Sequence, residues 1–246
     1  MRKYFILSSI LAASVLFISC NNKTTTSAAA TDNEAEKATD TPAAEINIQR
    51  KLVPIAFDFS NICSLCGINI EYTQGDKCQI ELEGDSALLN HVTIDIESSL
   101  LTLGLHSDSN EQLNMYETNY QLTAYITTPT LQYVSLCEGG NFYSRGSWTN
   151  PNVHVGALRS GSFFVDSLQC ENFKFEGSDT DRSVFKNVKT HAATIVTMRK
   201  SQPTFTINAD QVIIIAENES KLTLNGTAVR KEKSVRGKAI LIDNLK

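Results

Sequence analysis

Cys63 and Cys66 form the local motif with the clearest chemical meaning, because a Cys-x-x-Cys pair can be redox-active or supply two ligands to a zinc site. In an extended segment, residues three apart point to opposite faces and lie about 10 Å apart, beyond the roughly 7 Å limit between Cα atoms for a disulfide. A turn between the two cysteines would be needed to join them. For zinc, Cys78 and His91 would have to complete the site, at no recognised spacing. We therefore expect small residues of the folded interior here rather than a metal or redox site.

The cysteine count leaves one pairing question open. Apart from Cys20, the chain has five cysteines, so at least one thiol stays free or pairs between chains. One disulfide among the five is compatible with an oxidising compartment, but the sequence does not choose it. The five candidates are Cys63, Cys66, Cys78, Cys137 and Cys170.

The densest aromatic patch contains Tyr133, Phe142, Tyr143 and Trp148. Exposed on one face, such rings can stack on sugar rings or pack against a partner, whereas buried rings would only fill a core. Because Phe142 and Tyr143 are adjacent, one of them should point outward from a strand. Interior packing is the interpretation that we favour for this patch, and Tyr143 and Trp148 are the candidate ligand-binding residues if the rings are exposed.

The first twenty residues predict an export signal that ends on a cysteine. Arg2 and Lys3 precede an apolar run over residues 4–17 that is short for a membrane span. The pattern resembles a bacterial lipoprotein signal, in which the cysteine is acylated and becomes the new N-terminus. This resemblance implies removal of residues 1–19 and a membrane anchor on Cys20. Ordinary secretion, with no role for Cys20, is the alternative.

Composition separates a tether from a folded body. Residues 21–45 contain no Val, Ile, Leu, Met or aromatic side chain, so residues 20–45 are predicted to be a disordered tether. Residues 46–246 are predicted to form the folded domain. Asn21 lacks the acidic character that often retains lipoproteins at the inner membrane, so the resemblance favours the outer membrane, with its periplasmic and cell-surface sides both open.

Net charge argues against a nucleic-acid partner. The formal net charge is −5, and removal of Arg2 and Lys3 with the signal would take it to −7. A mildly acidic chain has no basic face with which to neutralise phosphates. No motif for a cofactor is present, and the four histidines show no metal spacing.

Period-two alternation dominates the predicted domain and indicates strands. The clearest cases are Ile68-x-Ile70-x-Tyr72, Val92-x-Ile94-x-Ile96, Leu101-x-Leu103-x-Leu105 and Leu122-x-Ala124-x-Ile126. Only residues 86–91 have a helical pattern. The fold class is therefore predicted to be all-β.

Beyond Leu131 the short strands recur at regular spacing. Strand starts at Leu131, Val153, Phe173, Thr194 and Val212 lie 22, 20, 21 and 18 residues apart. Two strands and two turns in each repeat are typical of one coil of a parallel β-solenoid. A β-sandwich of hairpins is the alternative. In the solenoid, the run Ala239 to Ile242 would be a terminal strand that closes one end.

The segment from residue 57 to residue 89 contains an ordered series of short motifs, namely Phe57-x-Phe59-x-x-Ile62, Gly67-Ile68-Asn69-Ile70-x-Tyr72, Gln74-Gly75-Asp76, Ile80-x-Leu82-Glu83-Gly84-Asp85 and Leu88-Leu89. This series resembles the opening of the head GIN domain family. Members are described as auto-transporter adhesins of the cell envelope. The resemblance covers about residues 53–244 and implies a right-handed β-helix similar to pectin lyases, cell-surface adhesion and no shared catalytic constellation.

Three functions follow from these expectations. The first is a non-catalytic, lipid-anchored envelope adhesin that binds a glycan or a surface protein. The second is a polysaccharide lyase or hydrolase built on the charged segment Glu176, Asp179, Asp181 and Arg182. When the repeating strands are placed in register, Arg159 and Lys200 occupy the neighbouring turns. They add no second carboxylate, which argues against the enzyme. The third is a structural or homo-oligomeric envelope component.

Overall fold

The computed structural model describes residues 47–106 and 122–246. The predicted signal, Cys20 and the tether lie outside the described residues. These described residues are nearly all β, with 66% of them in strands and 2% in helix, and they form a β-solenoid of about six turns. No helix within the described ranges is long and apolar enough to cross a membrane.

The elements of the described chain follow in sequence order. They are β1 (Ile48–Val53), β2 (Asn61–Ser64), β3 (Asn69–Gln74), β4 (Gln79–Asp85), α1 (Ser86–Leu89), β5 (Val92–Glu97), β6 (Leu100–Leu105), β7 (Thr123–Thr128), β8 (Tyr133–Leu136), β9 (Asn141–Thr149), β10 (Asn152–Ala157), β11 (Ser162–Gln169), β12 (Asn172–Gly177), β13 (Val184–Thr197), β14 (Thr204–Ala216), β15 (Lys221–Val235) and β16 (Ile240–Leu245).

Two faces of stacked parallel strands enclose one apolar interior. Face A contains β2, β6, β8, β10 and β12, followed by the C-terminal halves of β13, β14 and β15. Face B contains β3, β7, β9 and β11, followed by the N-terminal halves of β13, β14 and β15, and then β16. The all-β and solenoid predictions are confirmed, and these parallel registers exclude the β-sandwich alternative.

The alternating pattern explains which side chains enter the interior. On face A, Val134 lies beside Val155 and Val155 beside Phe175, so one inward column runs across three coils. All three side chains are buried. Because stacked parallel strands keep the same register, the outward residues between them also form columns.

The N-terminal coils are stacked out of chain order. Strand β2 pairs with both β6 and β8, and β3 pairs with both β7 and β9. The coil formed by β6 and β7 therefore lies outside the coil formed by β2 and β3. Antiparallel strands complete this end, with β5 on β6, β4 on β7 and β1 on β4. At the other end β16 is the last strand of face B, as predicted.

The turns from face A to face B share one unusual backbone conformation. A residue with positive φ occurs in successive turns at Gly139, Arg159, Asp179, Arg199, Asn218 and Gly237. The spacing of 19 or 20 residues repeats the coil period. Four of these six positions are not glycine, so what the turns have in common is their backbone geometry and not a glycine motif.

Candidate binding groove on face A

The outward columns of face A line a groove of about 400 Å³. We call it groove A, and its polar and aromatic lining consists of Asn61, Gln132, Tyr133, Asn152, His154, Asn172, Lys174 and Thr194. The register places His154 between Tyr133 and Lys174 on adjacent strands. Groove A therefore runs across several coils, perpendicular to the strands, and suits an extended ligand.

A hydrogen-bonded network fixes the charged side chains of this face. The Glu176 carboxylate contacts His154 Nε2 at 2.7 Å and accepts a hydrogen bond from Lys174 Nζ at 3.1 Å. The hydrogen bond with His154 is the main cause that lowers the pKa of Glu176 to about 2, and Lys174 adds to the effect. Glu176 is thus held as a carboxylate whose oxygens are already engaged.

The remaining groups of groove A offer an aromatic edge and amide hydrogen bonds. The rings of Tyr133 and His154 meet edge to face, with centroids 5.1 Å apart. Asn172 Nδ2 donates to Asn152 Oδ1 at 2.9 Å, which forms a short amide ladder between adjacent coils. Aromatic and amide groups of this kind recognise hydroxyl-rich ligands by stacking and hydrogen bonding.

Tyr143 and Trp148 occupy different environments, and the structure does not bring them together as a surface patch. Trp148 is fully buried, and its Nε1–H donates to the Leu131 carbonyl at 3.0 Å. An indole enclosed in this way presents no face to a ligand from solvent, so Trp148 is packed in the interior and its assignment as a candidate ligand-binding residue is wrong. Its ring packs on Tyr72, with centroids 5.5 Å apart.

Tyr143 is partly exposed on face B, away from groove A. Its ring stacks on Phe164 with centroids 5.1 Å apart, and the Arg145 guanidinium lies 5.1 Å from the ring centroid. A ligand-binding role for Tyr143 stays a prediction. Sequence reasoning missed His154, Asn152 and Lys174. Their spacing was a usable signal, because Asn152 and His154 lie about one coil after Tyr133 and Lys174 lies about two coils after it.

The charged segment from Glu176 to Arg182 does not converge on one site. Asp179 is paired with Arg199 at 2.9 Å, which makes Arg199, and not Lys200, its neighbour in the next turn. Asp181 is fully buried and accepts hydrogen bonds from the hydroxyls of Ser183 and Ser201, the latter at 2.8 Å. Burial raises the pKa of Asp181, which is consistent with a structural role inside the turn.

The Cys-x-x-Cys motif is not assembled as a pair. The Cys66 thiol lies 4.0 Å from the Leu103 carbonyl oxygen, whereas Cys63 lies beside Cys137. Within residues 47–106 and 122–246, no group of three or more His, Cys, Asp or Glu side chains is placed to hold a metal ion.

In-register parallel coils and a polar outer groove define the chain as a β-solenoid protein with a ligand-sized surface groove. The family model described as putative auto-transporter adhesin, head GIN domain, matches residues 58–242. The chain belongs to this family, which confirms the resemblance found in its sequence.

Among the solved structures that match, one shows the same fold at low sequence identity. A putative adhesin from Bacteroides fragilis matches with a TM-score of 0.61 and 14% identity, covering 81% of this chain and 97% of that one. A putative lipid binding protein from Parabacteroides distasonis matches with a TM-score of 0.49 and 12% identity, with the same coverage of 81% and 97%. No curated protein matches the chain.

Proposed function

We propose that this protein is a non-catalytic, lipid-anchored adhesin of the cell envelope that binds an extended glycan in groove A. The observation that carries the proposal is the column of Tyr133, His154 and Lys174 across adjacent coils, flanked by the amide ladder of Asn152 and Asn172. The family and the Bacteroides fragilis neighbour, both described as adhesins, support the adhesive role.

A glycan fits groove A better than an acidic polymer or an apolar peptide. The groove offers a ring edge, several amides and a lysine already engaged by Glu176, so its recognition groups are mainly neutral hydrogen-bonding groups. A chain of sugar rings can repeat the same contact at each coil. A surface protein that presents such a glycan is an equally suitable partner.

The engaged carboxylates support the non-catalytic part of the proposal. Glu176 is held by His154 and Lys174, Asp179 by Arg199, and Asp181 is buried within its turn. General acid–base cleavage of a glycosidic bond needs two carboxyl groups that flank it, about 5 to 9.5 Å apart and accessible to the substrate. These three carboxylates do not provide such a pair, and we expect no turnover of polysaccharides.

Replacement of Tyr133 by alanine should weaken glycan binding about threefold to tenfold, because an aromatic contact contributes about 0.5–1.5 kcal/mol beyond its buried area. The measurement is titration of the purified protein against oligosaccharides selected on a glycan array. Tyr143→Ala is the matched control, since it removes a similar ring from face B. Weaker binding by the Tyr143 variant, with binding by the Tyr133 variant unchanged, would contradict binding in groove A and indicate a site on face B.

Anchoring can be tested separately through Cys20. Cells that make the protein are labelled with an alkyne-bearing fatty acid, and we expect the label to be incorporated and the protein to sediment with membranes. Cys20→Ser should abolish both results, whereas Cys170→Ser should change neither. Protease treatment of intact and lysed cells then decides between the surface and the periplasm. Unlabelled wild-type protein would contradict the anchor without affecting the test of groove A.

A further inference from the structure

Two cysteines that are distant in sequence meet between adjacent coils of face A. Cys63 lies in β2, and Cys137 follows the last residue of β8. Their Sγ atoms are 3.8 Å apart, and both residues are partly exposed. Cys63 points away from the interior of the solenoid, because Ile62 and Ser64 alternate with it and are the buried residues of β2, so its expected interior position is wrong. Neither Cys63 nor Cys137 is among the cysteines packed against the core.

The backbone holds both cysteines in place. Strands β2 and β8 pair in parallel, with Cys63 opposite Ser135 and Ser64 opposite Leu136. The Cys137 N–H then donates to the Ser64 carbonyl at 2.8 Å, which continues the ladder by one residue. The proximity of the two thiols therefore follows from the strand register and does not depend on a loop.

We propose that Cys63 and Cys137 form an intramolecular disulfide that links the coil containing β2 to the coil containing β8. The other three cysteines have different neighbours. Cys66 faces the Leu103 carbonyl, Cys78 lies 3.4 Å from the Thr128 hydroxyl, and burial raises the pKa of Cys170 beside Thr190. The five cysteines of the described chain then divide into one disulfide pair and three free thiols.

The local environment makes Cys137 the nucleophile of the pair. The hydrogen bond with Cys63 lowers the pKa of Cys137 to about 6, with help from the Ser135 hydroxyl at 3.4 Å and the charge of Arg159. The same contact and burial raise the pKa of Cys63. The lowered pKa favours the thiolate form of Cys137, which is the form that attacks disulfides, whereas the raised pKa favours the thiol form of Cys63.

The oxidant is a small-molecule disulfide such as oxidised glutathione, which reacts by thiol–disulfide exchange. The Cys137 thiolate attacks one sulfur of that disulfide, forms a mixed disulfide and releases one thiol of the oxidant. Cys63 then loses its proton and attacks Cys137 Sγ, which forms the protein disulfide and releases the second thiol. The two cysteines lose two electrons and the oxidant gains them. The first released thiolate takes up from solvent the proton that Cys137 had given up, and the second takes the proton from Cys63.

Peptide mapping of the full chain incubated with oxidised glutathione tests the proposal. Chymotrypsin cuts after Leu65 and separates Cys63 from Cys66, and a glutamate-specific protease separates Cys78 from Cys137. We expect a linked peptide pair containing Cys63 and Cys137, two hydrogens lighter than the sum of the reduced peptides. Complete alkylation of both thiols, or a link between Cys63 and Cys66, would overturn the proposal.

Thermal unfolding gives an independent readout. A bridge that closes a loop of this length should raise the melting temperature by between about 5 and 15 °C, and a reductant should remove that increase. Cys63→Ser should abolish the response to reductant, and Cys170→Ser should keep it. Because the oxidant is added to purified protein, failure of the bridge would not bear on export or on groove A. A response retained by the Cys63 variant would contradict the assigned pair.

Discussion

Phe185→Ala is expected to lower the free energy of unfolding by about 3–5 kcal/mol, the usual cost of removing a fully buried phenylalanine ring. Phe185 is 1% exposed, and its ring lies at the centre of the solenoid core. Its centroid is 4.9 Å from that of Phe205 in a stacked arrangement and 5.3 Å from that of Phe173. Neighbouring coils cannot move in to fill the cavity because their own strands are fixed in register.

Urea and thermal unfolding measure this loss, and a fall in melting temperature of roughly 6–20 °C is expected. Phe164→Ala is the matched control, since Phe164 is a partly exposed ring on the outer side of face B that stacks on Tyr143. The control should lose only about 1 kcal/mol. Equal losses for the two variants would mean that the ring column does not stabilise the core.

Gly140→Ala is expected to cost about 2–5 kcal/mol, because the turn imposes both a positive φ and a close approach of two backbones. Gly140 has a φ of +75°, and an added Cβ would lie 2.5 Å from the Ile68 carbonyl oxygen. That oxygen belongs to the turn of the adjacent coil, so relief requires the two coils to separate.

The preceding residue provides a control with nearly the same backbone. Gly139 has a φ of +72°, and an added Cβ would meet no atom within 4 Å. Gly139→Ala should therefore show only the cost of the left-handed conformation, about 1–2 kcal/mol. Chemical denaturation gives the free energy of unfolding of each variant, and the difference between them is the cost of the steric contact. Equal losses for the Gly139 and Gly140 variants would contradict a steric contact with Ile68.

The all-β class and the repeating coil of the solenoid could be predicted from the sequence, whereas groove A could not. Alternation identified the strands, and the recurrence from Val153 to Val212 identified the solenoid. The same alternation should have placed Trp148 inside, because it is an even number of residues from the inward Phe142. Gly146, with a φ of +86°, bends β9 between them without changing that parity.

Other features depended on pairings that a single sequence does not encode. The partner of Cys63 is 74 residues away, so only the register of β2 and β8 reveals it. The outward column of groove A depends in the same way on which coils are neighbours. Local patterns determine which face of a strand a residue occupies, whereas stacking order comes from long-range contacts.

The out-of-order stacking of the first coils has a consequence for the order of folding. Strand β2 precedes both of its neighbours, β6 and β8, in the chain. The N-terminal coil therefore cannot serve as the template on which later coils are added. From β8 onward each coil follows its spatial neighbour, so folding can propagate there by successive local additions. Closure of the N-terminal end is then a late event that waits for the segment containing β8 and β9.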